Sequence, residues 1–112
     1  GLRLEPMSPI ELAEDNCGRP IVRVQLAKAS AEAVLYSPDY ERVLAPLGTA
    51  SWFLDTNGKG NRYVRALHPA LARNVMIARL ILGVDRGAVR YRDGDSLNLR
   101  SDNLIRPLQR HR

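Results

Sequence analysis

Residues 75–107 constrain the fold of this chain more than any other stretch. An apolar run that ends at Gly83 is followed by an alternating segment, residues 88–92, and then by the pair Asp93-Gly94. That pair is typical of a tight turn, because Gly accepts the positive φ that such turns require. Residues 97–104 follow, in which Ser101 or Asp102 could cap a final turn of helix. The order predicts a strand, a turn and a short helix.

The same stretch resembles the HNH endonuclease family, in the form found in phage and homing nucleases. The resemblance rests on these matched positions: Arg79, Leu80, Ile81, Gly83, Val89, Asp93, Gly94, Leu97, Asn98, Arg100, Asn103 and Leu104. It extends more loosely back to about Ile21 through a Trp strand and a Tyr-Val-Arg strand. It implies an α+β fold, in which a small antiparallel sheet precedes the HNH-like strand–turn–helix unit. Asn98 would then orient the loop between strand and helix.

The chain departs from the family pattern where the chemistry of the nuclease is carried out. The resemblance places the family's first His at Ala78 and its Asp-His pair at Arg90 and Tyr91. A hard divalent cation needs oxygen ligands, usually including a carboxylate, and Asn103 alone cannot hold one. Tyr titrates near 10, which is too high for an efficient base at neutral pH. The sequence therefore predicts a retained scaffold with no catalytic residue, no metal site and no cofactor.

The residues before this motif alternate as strands do. Residues 20–27 and 31–36 predict a hairpin, with residues 28–30 as its turn. A helix should begin at Ser37 as cap and Pro38 as first residue, bury Tyr40, Val43 and Leu44, and stop at Pro46 and Gly48. Residues 50–56 and 61–67 predict a second hairpin around the loop at residues 57–60.

Two segments leave alternatives open. A helix could run from Pro69 to Leu82, or residues 73–77 could form a third strand with a helix starting near Met76; the HNH resemblance favours the second arrangement. Residues 1–18 predict an extended lead-in, in which Ser8 could cap a short helix. Residues 19–106 then form a single HNH-like domain, and residues 107–112 a basic tail.

Charge is distributed unevenly along the chain. Residues 1–56 carry five Lys or Arg against eight Asp or Glu, a net charge of −3, whereas residues 57–112 carry twelve against four, a net charge of +8. Arg predominates in the second half, and its planar guanidinium suits phosphate and guanine. The predicted DNA-binding residues are Lys59, Arg62, Arg65, Arg79, Arg90, Arg92 and Arg100. Trp52 and Tyr63 could stack on a base, although a strand Trp is more often part of the core.

The favoured prediction is therefore a DNA-binding protein without nuclease activity. One alternative is an active nuclease that uses unusual ligands, such as Asp93 or Asp95, and another is a protein-interaction module or inhibitor of a nuclease or toxin. No signal peptide or membrane-spanning run is visible, which favours the cytoplasm. The sequence does not specify an oligomeric state.

Overall fold

The computed structural model describes residues 10–27, 30–48, 51–56 and 60–107. The first sheet contains β1 (Ile10–Glu14), β2 (Pro20–Gln25) and β3 (Glu32–Tyr36), all antiparallel and in that order. The predicted hairpin of β2 and β3 is confirmed. Ile10–Glu14 lies within the predicted lead-in, and the structure shows that it is an edge strand of this sheet rather than part of a helix capped by Ser8. Ser8 itself lies outside the described residues.

The first helix, α1, comprises Ser37–Leu47 and follows β3 without a loop. Its cap differs from the prediction: the N-cap residue is Tyr36, and no side chain caps the first turn. Pro46 lies inside the last turn, where its ring does not end the helix, and Gly48 ends it with a φ of 77°. Tyr40 and Val43 are buried as predicted, but the third buried residue of this helix is Leu47, and Leu44 is only half-buried.

The second sheet repeats the order of the first. It contains β4 (Phe53–Thr56), β5 (Arg62–His68) and β6 (Arg73–Met76), again antiparallel, and α2 (Ile77–Leu82) follows β6 directly. Of the two arrangements considered for this region, the third strand with a late helix is confirmed and the helix from Pro69 is wrong. β4 is shorter than the predicted strand at residues 50–56, and Trp52 lies just before its first residue. Lys59 and the rest of the predicted loop at residues 57–59 lie outside the described residues.

One hydrophobic core joins the two units. Trp52 is fully buried, its ring centroid lies 5.9 Å from that of Tyr40, and its carbonyl accepts a hydrogen bond from Ala27 N–H at 2.8 Å. The predicted core role of Trp52 is therefore confirmed. Between the helices, the Arg42 side chain donates to the carbonyls of Leu80 and Ile81 at 3.2 and 2.8 Å. These contacts tie α1 to the last turn of α2, where the Leu80 carbonyl also accepts the Gly83 N–H at 3.3 Å.

The C-terminal part differs from the predicted strand–turn–helix unit. β7 (Arg90–Tyr91) pairs antiparallel with β8 (Leu104–Ile105), and a single 3₁₀ turn, Ser101–Asn103, stands where the short helix was expected. Arg100 is the N-cap residue of this turn, so neither Ser101 nor Asp102 provides a side-chain cap. The loop is anchored to the first sheet, because Val34 exchanges backbone hydrogen bonds with Leu97 and Leu99 at 3.0 and 2.7 Å. The α+β class itself is confirmed.

Candidate nucleic-acid interface

The Asp93 carboxylate organises the loop between β7 and β8. Its Oδ2 accepts a hydrogen bond from the Asn98 amide at 2.9 Å, and its Oδ1 accepts one from the Asn103 amide at 2.9 Å. Oδ1 also accepts the backbone N–H of Asp95 at 2.8 Å. In return, Asn103 Oδ1 accepts the backbone N–H of Asp93 at 3.1 Å. Asn98 therefore orients this loop, the role that the HNH resemblance implied for it, and Asn103 acts together with it.

These donors also set the ionisation of Asp93. The hydrogen bond from Asn98, followed by that from the Asp95 N–H, holds the pKa of the Asp93 carboxyl below its usual value. Both carboxylate oxygens are thus already used by protein donors. Among the described residues, no group of three or more His, Cys, Asp or Glu side chains lies close enough together to hold a metal ion.

The three positions where the family places catalytic residues have different environments. Ala78 is fully buried in the core, so the space around its methyl group is filled. Arg90 is exposed on β7. Tyr91 is half-buried, and its hydroxyl is buried without a hydrogen-bond partner in the described part of the chain. Burial, reinforced by the neighbouring Tyr63, raises the pKa of Tyr91 to about 12. At neutral pH this phenol is a proton donor rather than a base.

Arg62 and Arg90, two of the predicted DNA-binding residues, line the same groove. The groove has a volume of about 540 Å³ and lies between the start of β5 and the β7 strand. Tyr63 and Tyr91 form part of its wall, and Asp95 is its acidic residue. We call this the β5–β7 groove. It offers guanidinium groups next to aromatic rings, a combination that suits nucleic acids.

A second groove contains three arginines. It has a volume of about 260 Å³ and is lined by Arg65, Arg73 and Arg79, together with Asp85. We call this the β6–α2 groove. Arg79 donates its Nε hydrogen to the carbonyl of Gly87 at 3.0 Å, which ties the helix to the following loop. Arg65 approaches the Asp55 carboxylate at 3.5 Å without a hydrogen bond from its buried Nε to any described residue.

The two grooves are connected through β5 and through Arg79. Tyr63 lines the first and Arg65 lines the second, and side chains two residues apart on a strand point to the same side. The positive charge of Arg79 also acts on Tyr91, lowering its pKa against the effect of burial. Arg65 and Arg79 therefore lie near the tyrosines of the β5–β7 groove, whereas Arg62 and Arg90 line that groove itself. Arg73 lines the β6–α2 groove, and sequence reasoning missed this residue because its edge-strand position was ambiguous.

Arg92 and Arg100 do not line either of these grooves, and their side chains bond to other residues of the protein. Arg92 donates its Nε hydrogen to the carbonyl of Asp102 at 3.1 Å. Arg100 donates to Asn98 Oδ1 at 3.1 Å and lies 3.8 Å from the carboxylate of Asp15. The groove around Arg100 also contains Glu14 and Glu32, so its charge is mixed. The structure thus separates Arg100 from the other predicted residues.

The pairing of arginines differs between the two halves of the chain. Arg19, Arg23 and Arg42 each form an ion pair with a carboxylate. By contrast, the side chains of several arginines in residues 60–107 form neither an ion pair nor a hydrogen bond with any described residue: Arg62, Arg73, Arg86, Arg90 and Arg106. Their positive charge is available to an external partner.

A network around Asp102 joins the first sheet to the C-terminal loop, and no local sequence signal indicated it. The Tyr36 hydroxyl donates to Asp102 Oδ2 at 2.7 Å, and Arg19 reaches the same oxygen at 3.2 Å. The Arg19 guanidinium also lies 4.6 Å above the Tyr36 ring. The network therefore links the first sheet to the loop between β7 and β8, which carries Asp93.

Comparison with protein-family models, with curated proteins and with solved structures found no match to this chain. Across the described residues, no helix has the length and apolar character needed to cross a membrane.

Proposed function

We propose that this protein binds DNA without cutting it, on a scaffold related to the HNH endonucleases and working in the cytoplasm. The observation that carries the proposal is the distribution of unpaired arginines. Every described arginine of the first half is neutralised by a carboxylate, whereas Arg62, Arg73 and Arg90 line the two grooves without a partner among the described residues. Unpaired guanidinium groups are what a polyphosphate backbone requires for affinity.

The chemistry of the family positions supports binding over cleavage. Arg90 adds a positive charge where the resemblance expects a metal-ligating carboxylate, so it would repel a cation and attract a phosphate. Tyr91, with a pKa of about 12, is protonated at neutral pH and cannot activate water. Asp93, the first carboxylate after Tyr91 in the chain, accepts hydrogen bonds from the amides of Asn98 and Asn103.

A titration of supercoiled plasmid and short duplexes tests the proposal. The protein would be added with magnesium, with manganese and with a chelator, at several salt concentrations. We expect a complex that persists in chelator, weakens steeply with salt and leaves the plasmid intact. Metal-dependent nicking would identify an active nuclease. The absence of any complex at low salt would refute DNA binding and would point to a protein partner.

A further inference from the structure

The tip of the β5–β6 hairpin exposes apolar side chains inside a basic surface. Leu67, on β5, is 56% exposed, and Leu71, in the turn, is 50% exposed. In the other two strands of this sheet, the larger apolar side chains are at least half-buried. Leu67 follows Tyr63 and Arg65 on the same side of β5, and it lies opposite Asn74 of β6. Leu71 is part of the wall of the β6–α2 groove.

The groove that contains Leu71 carries three arginines and one aspartate, Asp85. Arg73 lies opposite His68 in the hairpin and has no partner among the described residues. Arg65 and Arg79 line the same groove as Leu71. An apolar protein partner would have to remove these charges from water, whereas a nucleic acid offers phosphates for the arginines and stacked bases for the leucines.

The size of the apolar tip also favours a nucleic acid. A stable protein–protein interface buries about 800 Å² on each partner, which two leucine side chains cannot approach. One or two apolar side chains are enough to wedge between base pairs and kink a duplex. Such a wedge works best when it is rigid before binding, because less conformational entropy is then lost.

Backbone hydrogen bonds close the tip of the hairpin. The His68 carbonyl accepts hydrogen bonds from the N–H groups of Leu71 and Ala72 at 3.1 and 2.8 Å. Ala72 has a φ of 54°, the one positive φ at a non-glycine among the described residues, and it turns the chain into β6. The position of Leu71 is thereby fixed.

We infer that the β5–β6 hairpin inserts Leu71, with Leu67 beside it, between base pairs of double-stranded DNA and bends the duplex. This inference rests on the proposed DNA binding and adds a mode of binding to it. Arg73 and Arg79 hold the phosphates on either side of the wedged step. The distortion costs stacking energy, so a duplex that is already weakened at one step should bind more tightly.

The test compares the full chain with the variants Leu71→Ser and Leu67→Ser/Leu71→Ser. Each binds a duplex of about 25 base pairs carrying a fluorescent donor and acceptor at its ends, so that energy transfer reports bending. A second duplex carries one central mismatch. Leu12→Ser is the matched control, because Leu12 is 72% exposed on the edge strand of the first sheet. Circular dichroism and thermal melting check that each variant is folded.

We expect the wild-type protein and Leu12→Ser to bend the duplex and to prefer the mismatched duplex about tenfold. The hairpin variants should still bind with the same salt dependence but lose both the bending and the preference. Binding by the wild-type protein without bending, or equal bending by all variants, would overturn the inference while leaving DNA binding intact. Complete failure of the wild-type protein to bind would overturn both. A dimer that the hairpin substitutions dissociate in sedimentation would instead assign the leucines to self-association.

Discussion

Asn103 donates its side-chain amide to the carboxylate of Asp93 at 2.9 Å, across the loop that joins β7 to β8. The family resemblance would place Asn103 at a metal, yet here it is buried and faces a carboxylate of its own loop. The same amide donates to the Asn98 carbonyl at 2.9 Å. The loop is therefore held by a network of side-chain and backbone hydrogen bonds that requires no ion.

Replacing Asn103 should destabilise the protein. Asn103→Ala removes two donated hydrogen bonds and one accepted one at a buried site, and it leaves the backbone N–H of Asp93 without the oxygen that accepts it. We expect the free energy of unfolding in urea to fall by about 2 kcal/mol. Asn74→Ala, at an exposed position, should change it by less than about 0.5 kcal/mol. Equal effects of the two substitutions would contradict the structural role of Asn103.

Acid should weaken the same loop. Hydrogen bonds from Asn98 and the Asp95 N–H lower the pKa of Asp93, so the folded state prefers the ionised carboxylate. The resulting stability is present above the usual carboxyl pKa of about 4 and is lost as the pH falls through the lower value of the folded state. Asp93→Asn should therefore reduce stability at pH 7 and make it less dependent on pH below 4. Urea unfolding at pH 7 and at several acidic pH values would measure both effects.

The contact between Tyr36 and Asp102 should couple the first sheet to the C-terminal loop. The Tyr36 ring is buried, and its hydroxyl donates to a half-exposed carboxylate at 2.7 Å. A double-mutant cycle with Tyr36→Phe and Asp102→Ala should give a coupling free energy of about 1 kcal/mol, reduced by exposure of the carboxylate to water. Additive effects of the two substitutions would show that the hydrogen bond contributes nothing to stability.

The buried hydroxyl of Tyr91 should be dispensable for folding. It has no hydrogen-bond partner among the described residues, and burial raises its pKa to about 12. Tyr91→Phe should therefore leave the stability at pH 7 unchanged or raise it by up to about 1 kcal/mol. Between pH 10 and pH 12 the wild-type protein should lose stability, because the unfolded tyrosine ionises first, and the variant should lose less. A destabilised variant at pH 7 would reveal an unrecognised partner of the hydroxyl.

The arginines should divide into two classes in a DNA-binding assay. Arg62→Ala and Arg90→Ala remove unpaired cations from the β5–β7 groove, so each should lower affinity and reduce the salt slope by about one. Arg23→Ala is the matched control, since its side chain lies 3.9 Å from Glu32 on the first sheet. Arg100→Ala should resemble this control, because Arg100 lies 3.8 Å from Asp15. Fluorescence anisotropy over a range of salt concentrations would rank the four variants, and equal losses would contradict the assignment.

Local signals in the sequence predicted much of the secondary structure. The alternation in residues 20–27 and 31–36 identified β2 and β3, and Asp93-Gly94 marked the turn that the structure contains. These features depend on neighbours in the chain, through side-chain alternation and the backbone freedom of glycine. The predicted short helix near the end was wrong. Leu104 and Ile105 instead pair with β7, so their backbone groups form hydrogen bonds between strands rather than within a helix.

Only the tertiary structure decided which charges are already used within the protein. By itself, the sequence determined that the second half is rich in arginine, and its resemblance to the HNH pattern predicted that Arg90 and Tyr91 replace an Asp-His pair. It could not separate Arg100, which reaches Asp15, from Arg90, which has no partner in the described chain. The physical reason is that ion pairs form between side chains brought together by folding, and no local pattern records their distance. The same holds for Leu71, whose exposure depends on how the β5–β6 hairpin projects from the sheet.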